Sequence, residues 1–265
     1  MSFILEAKNL KKSFDGVVAL SDANFTLNQG EICGLVGANG SGKTTFARII
    51  SGLIRPDSGL LYLYGSQIHL KSHLEAEKLE ISMVHQNLSL IPEMTVWENI
   101  NLGREFTTSL GILKKEEALI KASQALQELK VNISLYDKVS QLAPSEKQLL
   151  EIVKALSRHP KILILDEPTA SLGFKQVEIL FEKLNQLKKD RVSVIFISHR
   201  IWEITKICDR LVVFRNGKTV GEVDFHQQPR DEKLIIPLIT GKKENEKEKN
   251  IHEKRPFRNF DTHQT

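Results

Sequence analysis

The stretch EICGLVGANGSGKTTFARII, residues 31–50, decides how the rest of the chain is read. EICGLV is a short apolar run of strand type, and KTTFARIISGL has helical spacing, so residues 37–44 form a turn between a strand and a helix. That turn, GANGSGKT, fits the pattern G-x-x-x-x-G-K-[ST]. Average residue usage would give the pattern in roughly one in a hundred chains of this length, and its placement makes chance rarer still. Glycines let backbone N–H groups converge on phosphates, and the helix start adds positive potential. Gly37, Ala38, Asn39, Gly40, Ser41, Gly42, Lys43, Thr44 and Thr45 are therefore expected to bind a nucleotide. Lys43 would reach the β- and γ-phosphates, and the Thr44 hydroxyl would bind Mg²⁺.

The stretch ILILDEP (162–168) supplies a second half of the site. Asp166, at the end of a buried strand, would hold Mg²⁺ through water, and Glu167 would orient and deprotonate an attacking water. A lone Asp-Glu pair is common at strand ends, but here a phosphate loop already requires a metal-holding carboxylate. Three further residues fall in matching order. Gln86 follows the strand ISMVH, His199 ends VSVIFIS, and Phe14 precedes the first glycine turn.

With these residues at these spacings, residues 3 to about 241 resemble the nucleotide-binding subunits of ABC transporters. The resemblance implies an α/β P-loop NTPase with a RecA-like core, an antiparallel β subdomain and a helical subdomain over about 88–157. It implies ATP and Mg²⁺ as cofactors, Phe14 stacked on the adenine, and Thr44, Gln86 and Asp166 around the metal. Gln86 would sense Mg²⁺ and the attacking water, Glu167 would act as general base, and His199 would contact the γ-phosphate. KSFDGVVAL, VHQNLSLIPEMTVWENINLGRE, LLEIVKALS, DEPTAS and ISHRIWEITKICDRLVVFRNGK are similar to ATPases of monosaccharide importers of the ribose, xylose and galactose type. Most of that clade fuse two modules, and this sequence reads as the first, with LITGKKENEK about where a second would begin. The implied partners are integral membrane permease subunits, a second ABC module and, indirectly, a periplasmic or extracellular solute-binding protein, at the cytoplasmic face of the membrane. Two other readings stay open: an ATP-binding regulatory half with weak hydrolysis, and a soluble ABC ATPase unconnected with transport.

The chain departs from the family where it would face a neighbour. The signature Leu-Ser-Gly-Gly-Gln aligns with Leu142-Ala143-Pro144-Ser145-Glu146. Ala143 lacks a hydroxyl, Pro144 lacks an N–H, Ser145 adds a Cβ, and Glu146 brings negative charge toward phosphate. The Asp usual after Ser171-Leu172 is Gly173. The chain's own loop, Gln86, Asp166, Glu167 and His199 are intact, so in a dimer the two composite sites need not be equal, whether the second module is a different chain or another copy of this one.

The bulk properties fit this reading. The 265 residues are 41% apolar and 26% charged with a net charge of +4, near the average for a globular chain and without the concentrated basic face of a nucleic-acid binder. Cys33 and Cys208 belong to no paired motif and read as buried free thiols. The N-terminus MSFILEAKNL shows no leader pattern, and no apolar run approaches the ~18–20 residues of a membrane span. SHLE (72–75) and TVWE (95–98) resemble capping boxes, the second opening a largely helical stretch to about residue 157. In that stretch Leu119, Ala122, Leu126 and Leu129 share a helical face. RLVVFRNGKTVGEV reads as a hairpin turning at Asn216-Gly217, and residues 242–265 as a charged, disordered tail.

Overall fold

The computed structural model describes residues 3–103 and 114–241. In chain order it runs β1 (Phe3–Phe14), β2 (Val17–Asn28), β3 (Ile32–Val36), α1 (Lys43–Ile50), β4 (Ser58–Leu63) and β5 (Ser66–Ile68). There follow α2 (His73–Lys78), β6 (Ile81–Val84), α3 (Val96–Asn101), α4 (Lys115–Glu128), α5 (Pro144–Leu156) and β7 (Ile162–Asp166). The chain closes with α6 (Phe174–Lys189), β8 (Ser193–Ile197), α7 (Ile201–Ile207), β9 (Arg210–Arg215), β10 (Lys218–Asp224) and α8 (Glu232–Thr240).

Every residue of β3, β6, β7 and β8 is buried. Such continuously apolar strands suit a parallel sheet covered on both faces, and β9, β3, β8, β7 and β6 pair in parallel in that order. Leu163, Leu165, Val194 and Phe196 point into one core. Ile162, Ile164, Ile195 and Ile197 point into the other, with Phe46 of α1. The antiparallel strands β1, β2, β4 and β5 extend the same sheet to ten strands, joined through a parallel contact of Lys218 with Asp22. One consequence matters most. The loops leaving the C-terminal ends of β3, β6, β7 and β8 emerge along one edge, where ligands bind in open α/β sheets.

Local chemistry explains most of the element ends. Asn216 and Gly217 both have positive φ, 51° and 72°, as a two-residue type I′ hairpin turn requires. Glu98 accepts the Thr95 N–H at 2.8 Å, starting α3. At α2, Ser72 accepts from Glu75 N as expected, but the Glu75 carboxylate accepts from Lys71 N rather than closing the box on Ser72.

Residues 88–157 are less continuously helical than the sequence suggests. Between α4 and α5 the chain leaves the helix at Leu129 and returns only through a 3₁₀ turn at Val139–Gln141. The buried face of α4 comprises Ala118, Ala122 and Leu126, continued by Leu129, while Leu119 is only partly buried at its flank. Cys33 and Cys208 are buried and free. The charged tail at 242–265 and part of the stretch after α3 lie outside the described residues.

Candidate active site

The phosphate loop is held open by backbone geometry that other residues could not adopt. Gly37 has φ 154°, and a Cβ there would sit 2.2 Å from the Phe214 carbonyl oxygen. Gly42 has φ 102° and faces Leu20 and the Ala19 carbonyl at similarly short range. The hairpin turn braces the loop from behind, Gly217 N–H donating to the Ser41 carbonyl at 3.2 Å. No side chain caps the start of α1, so its first N–H groups lack the partner an ordinary N-cap supplies. Lys43 folds back to donate to the carbonyls of Gly37 at 2.8 Å and Ala38 at 3.1 Å. Burial lowers its pKa below the usual lysine value, while Glu167 and Asp166 oppose that shift.

Asp166 ends β7 on the side facing this loop. It is 1% exposed, and no donor meets either carboxylate oxygen in good hydrogen-bond geometry, the Thr44 hydroxyl being close enough to act on its charge. Burial raises its pKa, the Thr44 hydroxyl pulls the other way, and Glu167 beside it raises it further. A buried carboxylate left without donors is costly unless a cation or ligand completes it. Two orphaned oxygens next to the Thr44 hydroxyl are hard donors of the type Mg²⁺ takes, so the residues fit that ion. The Ser41 hydroxyl is a third buried oxygen without a partner.

Glu167 follows in the left-handed region at φ 53°, a conformation that costs about 1–3 kcal/mol for a residue with a side chain. Its N–H donates to the Ile197 carbonyl at 3.0 Å, tying it to the end of β8. Its Oε2 lies 2.7 Å from Nδ1 of His199. Gln86, exposed after β6, lines the same cleft as the phosphate loop, Asp166 and Glu167. That cleft measures about 480 Å³. A neighbouring one of about 560 Å³ shares Asn39, Gln86 and Glu167 with it and adds Ser198, His199 and apolar Ile201, Ile236 and Ile239.

Phe14 lies on the hairpin beside this cleft, paired with Val17. It is exposed at the end of β1 with Lys12 Nζ 5.4 Å over its ring, and it does not line the cleft. Val17, Val18 and Ala19, just past the turn, do line it, with both valines largely exposed. Sequence reasoning missed these because aliphatic residues in a strand ordinarily signal core. It also missed Glu203, whose helix position resembles any first-turn acid.

The aligned signature opens α5 with Pro144 in its first turn. The Glu146 carboxylate turns back and accepts the Ala143 N–H at 2.8 Å. The N-cap N–H at this helix start is therefore taken by the chain's own acid, the reach-back of a capping box that lacks the usual Ser or Thr at its first position.

A phosphate loop after one parallel strand, with a buried, unpartnered Asp two strands away, is the arrangement of a P-loop NTPase. The family model described as ABC transporter matches residues 20–170, more than half of the 265, and the chain belongs to that family. It is 38% identical over 259 residues to the ribose import ATP-binding protein RbsA of Hahella chejuensis, covering 98% of this chain and 51% of that protein. With the protein of the same description from Bacillus licheniformis it shares 40% over 228 residues, 84% of this chain and 46% of the relative. The chain thus spans about half the length of these curated relatives. Among solved structures it is similar to a nucleotide-free ATP-binding cassette from an ABC transporter, with TM-score 0.77, 28% identity and coverage of 89% and 98%. It is also similar to the dimeric, post-hydrolysis cassette MJ0796 bound to ADP and Pi, with TM-score 0.74, 26% identity and coverage of 83% and 98%.

Proposed function

We propose that this chain binds ATP with Mg²⁺ in its own phosphate loop and hydrolyses it to energise solute import through integral membrane permease subunits. The observation that carries the reading is the Glu167–His199 contact of 2.7 Å beside a phosphate loop whose buried Asp166 has no donor in good hydrogen-bond geometry. Loop N–H groups and Lys43 hold the phosphates, with Lys43 exchanging its carbonyl contacts for phosphate oxygens. Asp166 and the Thr44 hydroxyl hold Mg²⁺, with Gln86 at the rim. When bound, the ion supplies charge neutralisation on the phosphate oxygens. Glu167 orients and deprotonates the attacking water, and His199 holds Glu167 while reaching toward the γ-phosphate. The aliphatic shelf of Val17 and Val18, with Phe14 nearby on the same hairpin, receives the adenine.

The cargo is a small polar solute of the monosaccharide class, a reading supported by the relatives, among them a putative ribose/galactose/methyl galactoside import ATP-binding protein of Geobacillus kaustophilus at 38% identity over 92% of this chain. Among the described residues no helix is long and apolar enough to cross a membrane. The reading places the chain at the cytoplasmic face, held there by the permease. The self-capped start of α5 supports an unequal pair, in which a different module caps the ATP held here.

Glu167→Gln in the assembled complex tests the reading. ATP binding should persist while hydrolysis falls about 10²–10⁴-fold, the usual worth of a general base. Unchanged hydrolysis would contradict it.

A further inference from the structure

Glu203 lies wholly inside the protein, at 0% exposure, one turn into α7 and behind the catalytic face. In an ordinary helix start, an acid at this third position reaches back to the N–H of the capping residue. Here that N–H, on Arg200, is taken instead by the Ser198 hydroxyl at 3.0 Å. The freed carboxylate makes a different set of contacts. Its Oε1 accepts from the Thr169 hydroxyl at 2.8 Å and from Arg200 at 3.3 Å, and its Oε2 accepts from the Ser198 hydroxyl at 2.7 Å.

These partners bracket the reacting pair. Thr169 is two residues beyond Glu167, Ser198 immediately precedes His199, and Arg200 immediately follows it. One buried side chain thus ties the loop after β7 to the loop after β8. Beyond the Glu167–Ile197 backbone bond, nothing else described makes a direct hydrogen bond between these two loops except the Glu167–His199 contact itself. Glu167 also holds a left-handed backbone conformation, which persists only where the surroundings over-determine it.

We propose that Glu203 is a positioning residue for hydrolysis: its buried carboxylate fixes the separation and orientation of Glu167 and His199 through Thr169 and Ser198. It lines neither of the two clefts. Gln at this position serves it less well: it removes the charge facing Arg200 and replaces one acceptor oxygen with an NH2, so a hydroxyl that now donates must turn to accept. The proposal rests on the hydrolytic reading given above.

The test uses the full chain assembled with its partner subunits. Glu203→Gln is expected to lower kcat about 10²-fold, the scale of a small misplacement of reacting groups, with KM for ATP and ATP affinity unchanged. Thr169→Val should repeat the pattern more weakly and Thr169→Ser, which keeps the hydroxyl, should retain the wild-type rate, so the outcome does not depend on Glu203→Gln folding. In a Glu167→Gln background, Glu203→Gln should cost nothing more, since it acts through that carboxylate. A wild-type kcat in folded Glu203→Gln, or equal rates for Thr169→Val and Thr169→Ser, overturns the proposal, as does an additive loss in the double variant. Absence of any Glu167-dependent hydrolysis in the wild-type complex overturns the hydrolytic reading, and the proposal with it.

Discussion

His199 Nδ1 lies 2.7 Å from Glu167 Oε2, across the gap between the ends of two paired parallel strands. The imidazole is 59% exposed and the carboxylate 14%, so the pair joins a solvent-facing group to an enclosed one. Removing the imidazole leaves the fold's interior untouched. His199→Ala should therefore lower hydrolysis by about 10²-fold or more with thermal stability nearly unchanged. Steady-state kinetics beside a melting curve checks both halves.

Asp166 makes the opposite trade. Burial raises its carboxyl pKa above the ordinary 3.8, so the folded state resists its ionisation. The favourable protonated form is present below pH 3.8, and that contribution is lost as pH rises toward the raised folded value. Asp166→Asn should then melt higher than wild type at neutral pH without nucleotide, and the difference should shrink toward pH 3.8. The same variant should lose the extra stabilisation that Mg²⁺ adds to ATP. Melting curves across pH, with and without Mg²⁺, decide the matter.

Gly37 tests the loop itself. A methyl group there would meet the Phe214 carbonyl and the Ser41 hydroxyl inside contact distance. Gly37→Ala should destabilise the chain by about 1–3 kcal/mol and abolish ATP binding. Denaturant unfolding and equilibrium binding measure the two effects.

The start of α5 is a reconstruction experiment. Ala143→Ser, Pro144→Gly, Ser145→Gly and Glu146→Gln together restore donors and remove the acid that caps Ala143 N–H. The quadruple variant should hydrolyse ATP faster than wild type when the chain is assayed alone, because two copies could then cap one another. Glu146→Gln alone should leave the lone-chain rate where it was, since Pro144 still lacks a donor.

Much of this was legible in the sequence for physical reasons. The strands beneath the site are buried on both faces and so are apolar at nearly every position, with Ser82, Ser193 and Asp166 the polar exceptions, and the phosphate loop needs glycines at fixed places. The places of Asp166, Glu167, Gln86 and His199 could be read because each ends such a strand or follows it by one or two residues. Val17 and Val18 could not, because an exposed aliphatic residue at a cleft reads the same as a buried one. Glu203 was hidden for a related reason: a helical acid is ordinarily solvated, and only the tertiary packing of α7 shows this one enclosed. The break in helix between α4 and α5 carries no proline or glycine to announce it; Lys130 leaves the helix through a left-handed φ of 53° instead. Phe14, expected on the adenine, reaches the right hairpin but not the cleft lining.

The most direct measurement is phosphate release by this chain, alone and assembled with the proposed permease and partner module, at saturating ATP and Mg²⁺. The account requires slow release alone and a large acceleration on assembly, on the scale of about 10³–10⁵-fold that groups supplied in trans contribute in related NTPases. Equally fast release by the chain alone would contradict it, because two self-capped α5 starts would then suffice.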